Sequence, residues 1–266
     1  MIKKYFLKIK YLFNKYEINL ISASTSFYMI VAIFSLLILL IQLHNYISKE
    51  NNFLINYIIE VLNPYYIESF EKIIPIFSLN SFSPILFINL IWSSSKFING
   101  FNKASDIIYQ FNKRRNFIVN RISSIFIFIM IISILFIEII TVLFANEIIK
   151  YIIKNMFFYS FLQFIIELFL IYSVILIINK FVPPIKIKIK DIYIGTFIST
   201  ILIYISLLIF LLLIKLFQKI NINFSVLTII SLFFILIYVV NICLIIGIYI
   251  NYYLQKNPNF KLFKRE

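Results

Sequence analysis

Two carboxylates, Glu138 and Glu167, sit inside long apolar runs, IISILFIEIITVLFA and SFLQFIIELFLIYS. An acid at membrane depth costs about 2.5–3.5 kcal/mol on insertion scales, so such a group is expected to face a bundle interior or a water-filled cavity. Glu138 lies about seven residues from the outer end of its run and Glu167 about ten, and at about 1.5 Å per residue their depths differ by only a few ångströms. On adjacent antiparallel helices they could share one proton, or face Lys150, Lys154 or a substrate cation. This makes Glu138 and Glu167 candidates for a substrate or proton pathway. The plainer alternative is two separate glutamates, each protonated or hydrogen-bonded to Ser, Asn or Tyr.

A second candidate is residues 91–115, IWSSSKFINGFNKASDIIYQFNKRR. Ser95, Asn99, Asn102, Asp106 and Tyr109 recur at steps of four and three, while Phe97, Phe101, Ala104, Ile108 and Phe111 follow the same spacing on the opposite side. That pattern predicts an amphipathic helix. Its polar face, with Lys96, suits an inner water-filled vestibule or a lipid headgroup; the plainer reading is a helix lying at the membrane surface. Lys96 can snorkel to headgroup level, Trp92 fits an aromatic belt, and Lys113, Arg114 and Arg115 are placed to meet lipid phosphates.

Other chemistry is poorly served. His44 is the only histidine and Cys243 the only cysteine, which excludes a multi-histidine metal site and a disulfide within the chain. No phosphate loop, nucleophile elbow or metal-ligand cluster is present. The acids assigned below to the inner side, Glu17, Asp106, Asp191 and Glu266, are isolated from one another in sequence. No catalytic residue, metal or cofactor is expected, and the chain is read as a non-enzyme.

The elements that must position these groups follow from composition. Of 266 residues, 62% are hydrophobic and 14% charged, against about 45–50% and about 25% for globular chains. Lipid must therefore be the solvent, and long apolar runs without period-two alternation indicate helices. The fold class expected is an all-α membrane protein with six transmembrane helices and an amphipathic cytoplasmic extension of the second, a single domain over 1–266. The spans are expected at 26–43, 82–98, 122–145, 157–179, 192–214 and 226–250. The second is the weakest: it is short, with Pro84 and Asn89 inside and Lys96 near its end. Asn89, Asn179 and Asn241 are expected to bond between helices.

Charge sets the orientation. With six spans and both termini inside, 19 of the 25 Lys and Arg fall in inner segments, leaving Lys49, Lys72, Lys150, Lys154, Lys215 and Lys219 outside. If the second span did not cross, this alternation would fail from Lys96 onward. The positive-inside rule thus favours N-in and C-in. The net charge of +14 reads as loop retention beside anionic inner-leaflet lipid, with no nucleic-acid partner implied. The start, MIKKYFLKIKYLFNKYEINL, lacks the order of a cleavable signal; Tyr5, Ile9, Leu12 and Tyr16 share helical spacing and suggest a basic surface helix. The outer segment 44–81 carries an amphipathic stretch, Leu54, Tyr57, Ile58, Val61 and Leu62, that could be a lid or could simply pack on the surface.

Trp92-Ser-Ser-Ser-Lys96, followed by Asp106, Tyr109 and Arg114–Arg115, resembles the YihY/virulence factor BrkB family. The segment from Ser22 to Tyr28 is similar to that family's lead into S-F-Y. Pro184, Lys186, Lys188, Lys190 and Gly195 resemble its lead into the fifth span, and Gly247 with Asn251 its closing G-x-x-x-N. Three departures stand out: NINFSVLTII replaces a Tyr-Gly-rich turn, Tyr238 stands for a Trp, and Asp106 for the usual Asn. The resemblance implies a multi-pass protein of the cytoplasmic (inner) membrane, a family once labelled as a ribonuclease and also linked to envelope lipid or solute transport. Movement of a lipid or small solute is the function expected, with membrane lipids as partners. A non-transporting envelope scaffold is the alternative. A ribonuclease lacks the paired carboxylates or histidine it would need.

Overall fold

The computed structural model describes residues 11–47, 83–112, 116–152, 156–219 and 226–256. Among them are six long α-helices: α1 Ile18–Ile47, α2 Pro84–Ile108, α3 Phe117–Ile152, α4 Met156–Phe181, α5 Tyr193–Lys219 and α6 Val226–Lys256. A 3-10 turn, Ile189–Asp191, precedes α5, and no described residue is in a strand. Five helices are long and apolar enough to cross a membrane, and α2 is not one of them. Most of the segment 44–81, with its expected amphipathic stretch, lies outside the described residues.

Each helix packs on the next in chain order and α6 returns against α1, so the bundle closes on itself; α2 also meets α6 across it. Ile21, Phe101, Ile127, Ile178, Ile203 and Ile245, one from each helix, belong to a single apolar core. Large apolar side chains such as Phe126, Ile129, Phe197, Leu208 and Leu212 point outward, whereas Ser22, Thr25, Ser94, Asn179, Thr196 and Asn241 are buried. A soluble protein would sort these groups the other way. In lipid an outward Leu costs nothing, and small or hydroxylated residues let backbones approach and bond.

Helix α2 runs antiparallel to α1 along its whole length. At one end the Ser83 N–H donates to Gln42 Oε1 at 3.1 Å; further along, Asn89 Nδ2 donates to Ser35 Oγ at 3.0 Å. Gly100 then lies against Thr25, and Lys103 Nζ comes within 3.7 Å of Glu17. Pro84 opens the helix at a position where its missing N–H costs nothing. Its far end closes with a Schellman pair: the Phe111 N–H donates to Asp106 O at 2.9 Å and the Gln110 N–H to Ile107 O at 3.3 Å, with Gln110 in the left-handed region at φ 55°.

The other polar bonds also join helices. Asn241 Nδ2 on α6 donates to Ser26 Oγ on α1 at 2.9 Å, and Asn179 Nδ2 on α4 to Thr196 Oγ1 on α5 at 3.0 Å. Helices α5 and α6 touch at Gly195 and Gly247, where Ser199 Oγ donates to Cys243 O at 2.9 Å. Asn251 Oδ1 accepts from the Gly195 N–H at 2.9 Å, serving a first-turn donor that its own helix cannot.

The N-terminal surface helix is corrected where the structure describes it. Tyr16 is buried and its ring stacks 5.3 Å from that of Tyr249, while Leu12 and Phe13 pack against the core. Leu12, Phe13 and Tyr16 therefore belong to the bundle, while Tyr11 is exposed. Glu17, at φ 50°, turns the chain into α1.

The contact of Gly100 with Thr25 generates a test. A Cβ on Gly100 would collide with Thr25 Cγ2, and that methyl cannot swing away while Thr25 Oγ1 donates to the carbonyls of Ile21 (2.9 Å) and Ser22 (3.0 Å). Gly100→Ala is expected to destabilise by about 1–3 kcal/mol despite the better helix propensity of Ala. Thr25→Ser, which removes only the methyl, is expected to rescue it; thermal melts of both single variants and the double variant in detergent check the coupling.

Candidate functional site

The start of α1, the end of α2, the start of α3, the end of α4, the start of α5 and the end of α6 meet at one end of the bundle. Lys15, Lys103, Arg121, Lys180, Lys186, Lys188, Lys190 and Lys256 flank it; it is called here the basic end. Each polar position of α2 can be followed into it.

Ser95 and Asn102 are buried, Asn99 half-buried, and all three meet α3. Asn102 Nδ2 donates to Asn120 Oδ1 at 2.8 Å and reaches Ser124 Oγ at 3.3 Å. Asn120 Nδ2 in turn donates to Asn99 Oδ1, and Arg121 Nη1 donates to Ser95 Oγ at 2.9 Å. The opposite side of α2 is closed as well: Phe97, Phe101, Ala104 and Ile108 are buried. The expectation of a helix lying on the membrane surface is therefore corrected. The pattern is amphipathic, but its polar half is covered by a complementary polar half on the first turns of α3, which a reading of one helix at a time does not reveal.

Nearer the end of α2, Ser105 is fully buried and Tyr109 half-buried against α6, the Tyr109 ring standing 5.0 Å edge-to-face from that of Tyr252. Burial pushes the Tyr109 hydroxyl above the ordinary phenol range; the Gln255 amide is close enough to oppose that shift but not to close a hydrogen bond. Among the described residues, six buried polar atoms here have no hydrogen-bond partner: Asn102 Oδ1, Ser105 Oγ, the Tyr109 hydroxyl, Arg121 Nε, Asn251 Nδ2 and Gln255 Nε2. Left dry, each would cost about 1–3 kcal/mol.

On the lipid side of the α2–α3 seam, the Arg121 guanidinium sits 4.6 Å from the Trp92 ring centre and 5.2 Å from that of Phe117; Lys96 Nζ is 5.4 Å from the Trp92 ring. Asp106 is half-buried in the last turn of α2 and Glu167 half-buried on α4. Glu138 falls on α3, the neighbour of α4, but its side chain lies outside the described residues, as do Lys113, Arg114 and Arg115. Sequence reasoning missed Asn120, Arg121, Ser124 and Gln255. A usable signal existed: Asn120 and Ser124, like Asn251 and Gln255, repeat at a four-residue step near a helix end.

Tyr109 carries a pH prediction. Its folded state holds the proton more tightly than the unfolded chain, so the unfolded chain ionises first and stability falls as pH rises above about 10. Tyr109→Phe is expected to leave stability at neutral pH unchanged or raised, since it removes an unpartnered hydroxyl. It is also expected to lose less melting temperature than the wild type between about pH 8 and about pH 10.5. Melts at the two pH values check both signs.

A family model described as Virulence factor BrkB matches residues 10–265. No curated protein and no solved structure matches the chain.

Proposed function

Because the chain belongs to the Virulence factor BrkB family, we propose that this multi-pass membrane protein moves a lipid or small solute across the cytoplasmic membrane. The observation that carries the reading is a group of polar atoms buried at the basic end with no hydrogen-bond partner among the described residues, on Asn102, Ser105, Tyr109, Arg121, Asn251 and Gln255. Buried polar groups in native proteins are almost always satisfied, so water or a polar ligand is needed there. A headgroup or solute passing between α2, α3 and α6 would supply the missing partners. Glu138 and Glu167 would line the path further along.

The topology proposed is six spans with both termini on the cytoplasmic side. Its support is the register of α2, which keeps pace with α1 from Gln42 to Glu17, so that α2 crosses wherever α1 does. Its low hydropathy follows from a polar face satisfied by α3 in place of lipid. The lysines and arginines gathered at the basic end mark the cytoplasmic side. A non-transporting scaffold is the second reading, favoured by the hydrogen-bonded closure of the α2–α3 seam.

Proteoliposomes with a fluorescent headgroup-labelled lipid and dithionite added outside separate the two. Wild-type vesicles are expected to lose protection of the inner leaflet, and Glu138→Gln/Glu167→Gln to restore it. Ser105→Ala/Gln255→Leu is expected to melt no lower than wild type, having lost two unpartnered groups, yet to slow the loss. Wild-type vesicles indistinguishable from empty ones would overturn lipid movement, and undiminished loss with the acid double variant would remove the carboxylates from the path.

A further inference from the structure

We infer that Arg121, Lys96 and Trp92 form a binding site for the phosphate of an anionic phospholipid, reached sideways from the bilayer. This does not rest on transport, since a protein that moves nothing could hold such a lipid. Arg121 donates one hydrogen bond, to Ser95 Oγ, out of the five N–H donors a guanidinium carries. Its Nε has no partner and is buried, and neither Arg121 nor Lys96 has a carboxylate within ion-pair distance among the described residues. Two cations thus converge on one indole, 4.6 and 5.4 Å from its centre, with no carboxylate among the described residues to answer them.

The Trp92 and Phe117 rings flank the guanidinium, and four of its five N–H donors have no hydrogen-bond partner among the described residues. A planar fork with spare donors is suited to two phosphate oxygens, and Lys96 adds a point charge beside it. The surroundings point to a lipid as the source of that phosphate. Trp92 is 55% and Phe117 67% exposed, on the outward face of the bundle. From them two apolar stripes run toward the opposite end, Ile85 and Ile88 on α2 and Ile122 and Phe126 on α3, all exposed. Acyl chains lying along these stripes would put a headgroup at the level of Arg121. A soluble phosphate would gain nothing from them.

Native mass spectrometry of the delipidated full-length protein, titrated with phosphatidylglycerol or phosphatidylcholine, tests the site. The wild type is expected to bind phosphatidylglycerol about tenfold more tightly, the net headgroup charge being the difference. Arg121→Gln is expected to abolish that preference and Lys96→Gln to reduce it, while Lys190→Gln, a cation of the basic end away from the seam, leaves it intact. Glycerol 3-phosphate in excess is expected to displace no lipid. Equal binding of the two lipids, a preference that survives Arg121→Gln, or displacement by glycerol 3-phosphate would each overturn the proposal. Lys96 makes no hydrogen bond among the described residues, so Lys96→Gln carries the test if Arg121→Gln fails to fold; an unchanged preference there would overturn it equally.

Discussion

Apolar helices in lipid gain little by touching each other, because a lipid tail is as good a neighbour as a Leu. What holds them is close approach of backbones and hydrogen bonds between side chains, the latter worth on average about 0.6 kcal/mol each where measured. That constraint explains which residues this bundle buries. Ser, Thr, Asn and the glycines occupy the interfaces, and Phe, Ile and Leu cover the outside. Asn89 with Ser35, Asn179 with Thr196 and Asn241 with Ser26 each join two helices. In a chain so rich in Ile and Phe, these few polar pairs distinguish one packing of helices from another.

Helix α2 shows how far the constraint reaches. Its polar residues would be costly against lipid, so the bundle surrounds it with α1 on one side, α3 on another and α6 on a third. Bonds from Ser95, Asn99 and Asn102 to α3 account for the upper part of the polar stripe. Lower down, α6 offers Asn251 and Gln255 without completing the bonds. Among the described residues, Asn102 Oδ1 and Arg121 Nε at the α3 contact, and Ser105 Oγ and the Tyr109 hydroxyl nearer α6, have no hydrogen-bond partner.

Much of this was legible in the sequence, and the failures share a cause. Hydropathy located the helices but cut them short: the first was expected from residue 26, whereas α1 begins at Ile18. Ser22 and Thr25, outside the expected span, are buried contacts, as is Ser26 at its first position. The spacing of Ser95, Asn99, Asn102, Asp106 and Tyr109 gives no sign of what covers the polar side of the helix, because Asn120 and Arg121 reach Ser95, Asn99 and Asn102 only through the fold. In sequence Arg121 is one of the 19 bases of the inner segments with nothing to single it out; its indole partner is Trp92, 29 positions earlier in the chain. The interhelical role expected for Asn89, Asn179 and Asn241 is what the structure shows, since few other partners exist for an amide among apolar helices.

The crossing of α2 beside α1 is what both the topology and the proposed path depend on, and cysteine accessibility tests it directly. In a Cys243→Ala background, single cysteines replace Ser83 and Gln110, at the two ends of α2, and a membrane-impermeant maleimide is added to intact cells or to inverted vesicles. Ser83→Cys is expected to react in intact cells and Gln110→Cys only in inverted vesicles. Reaction of both positions from the same side would contradict the crossing of α2, and with it the assignment of the basic end to the cytoplasm.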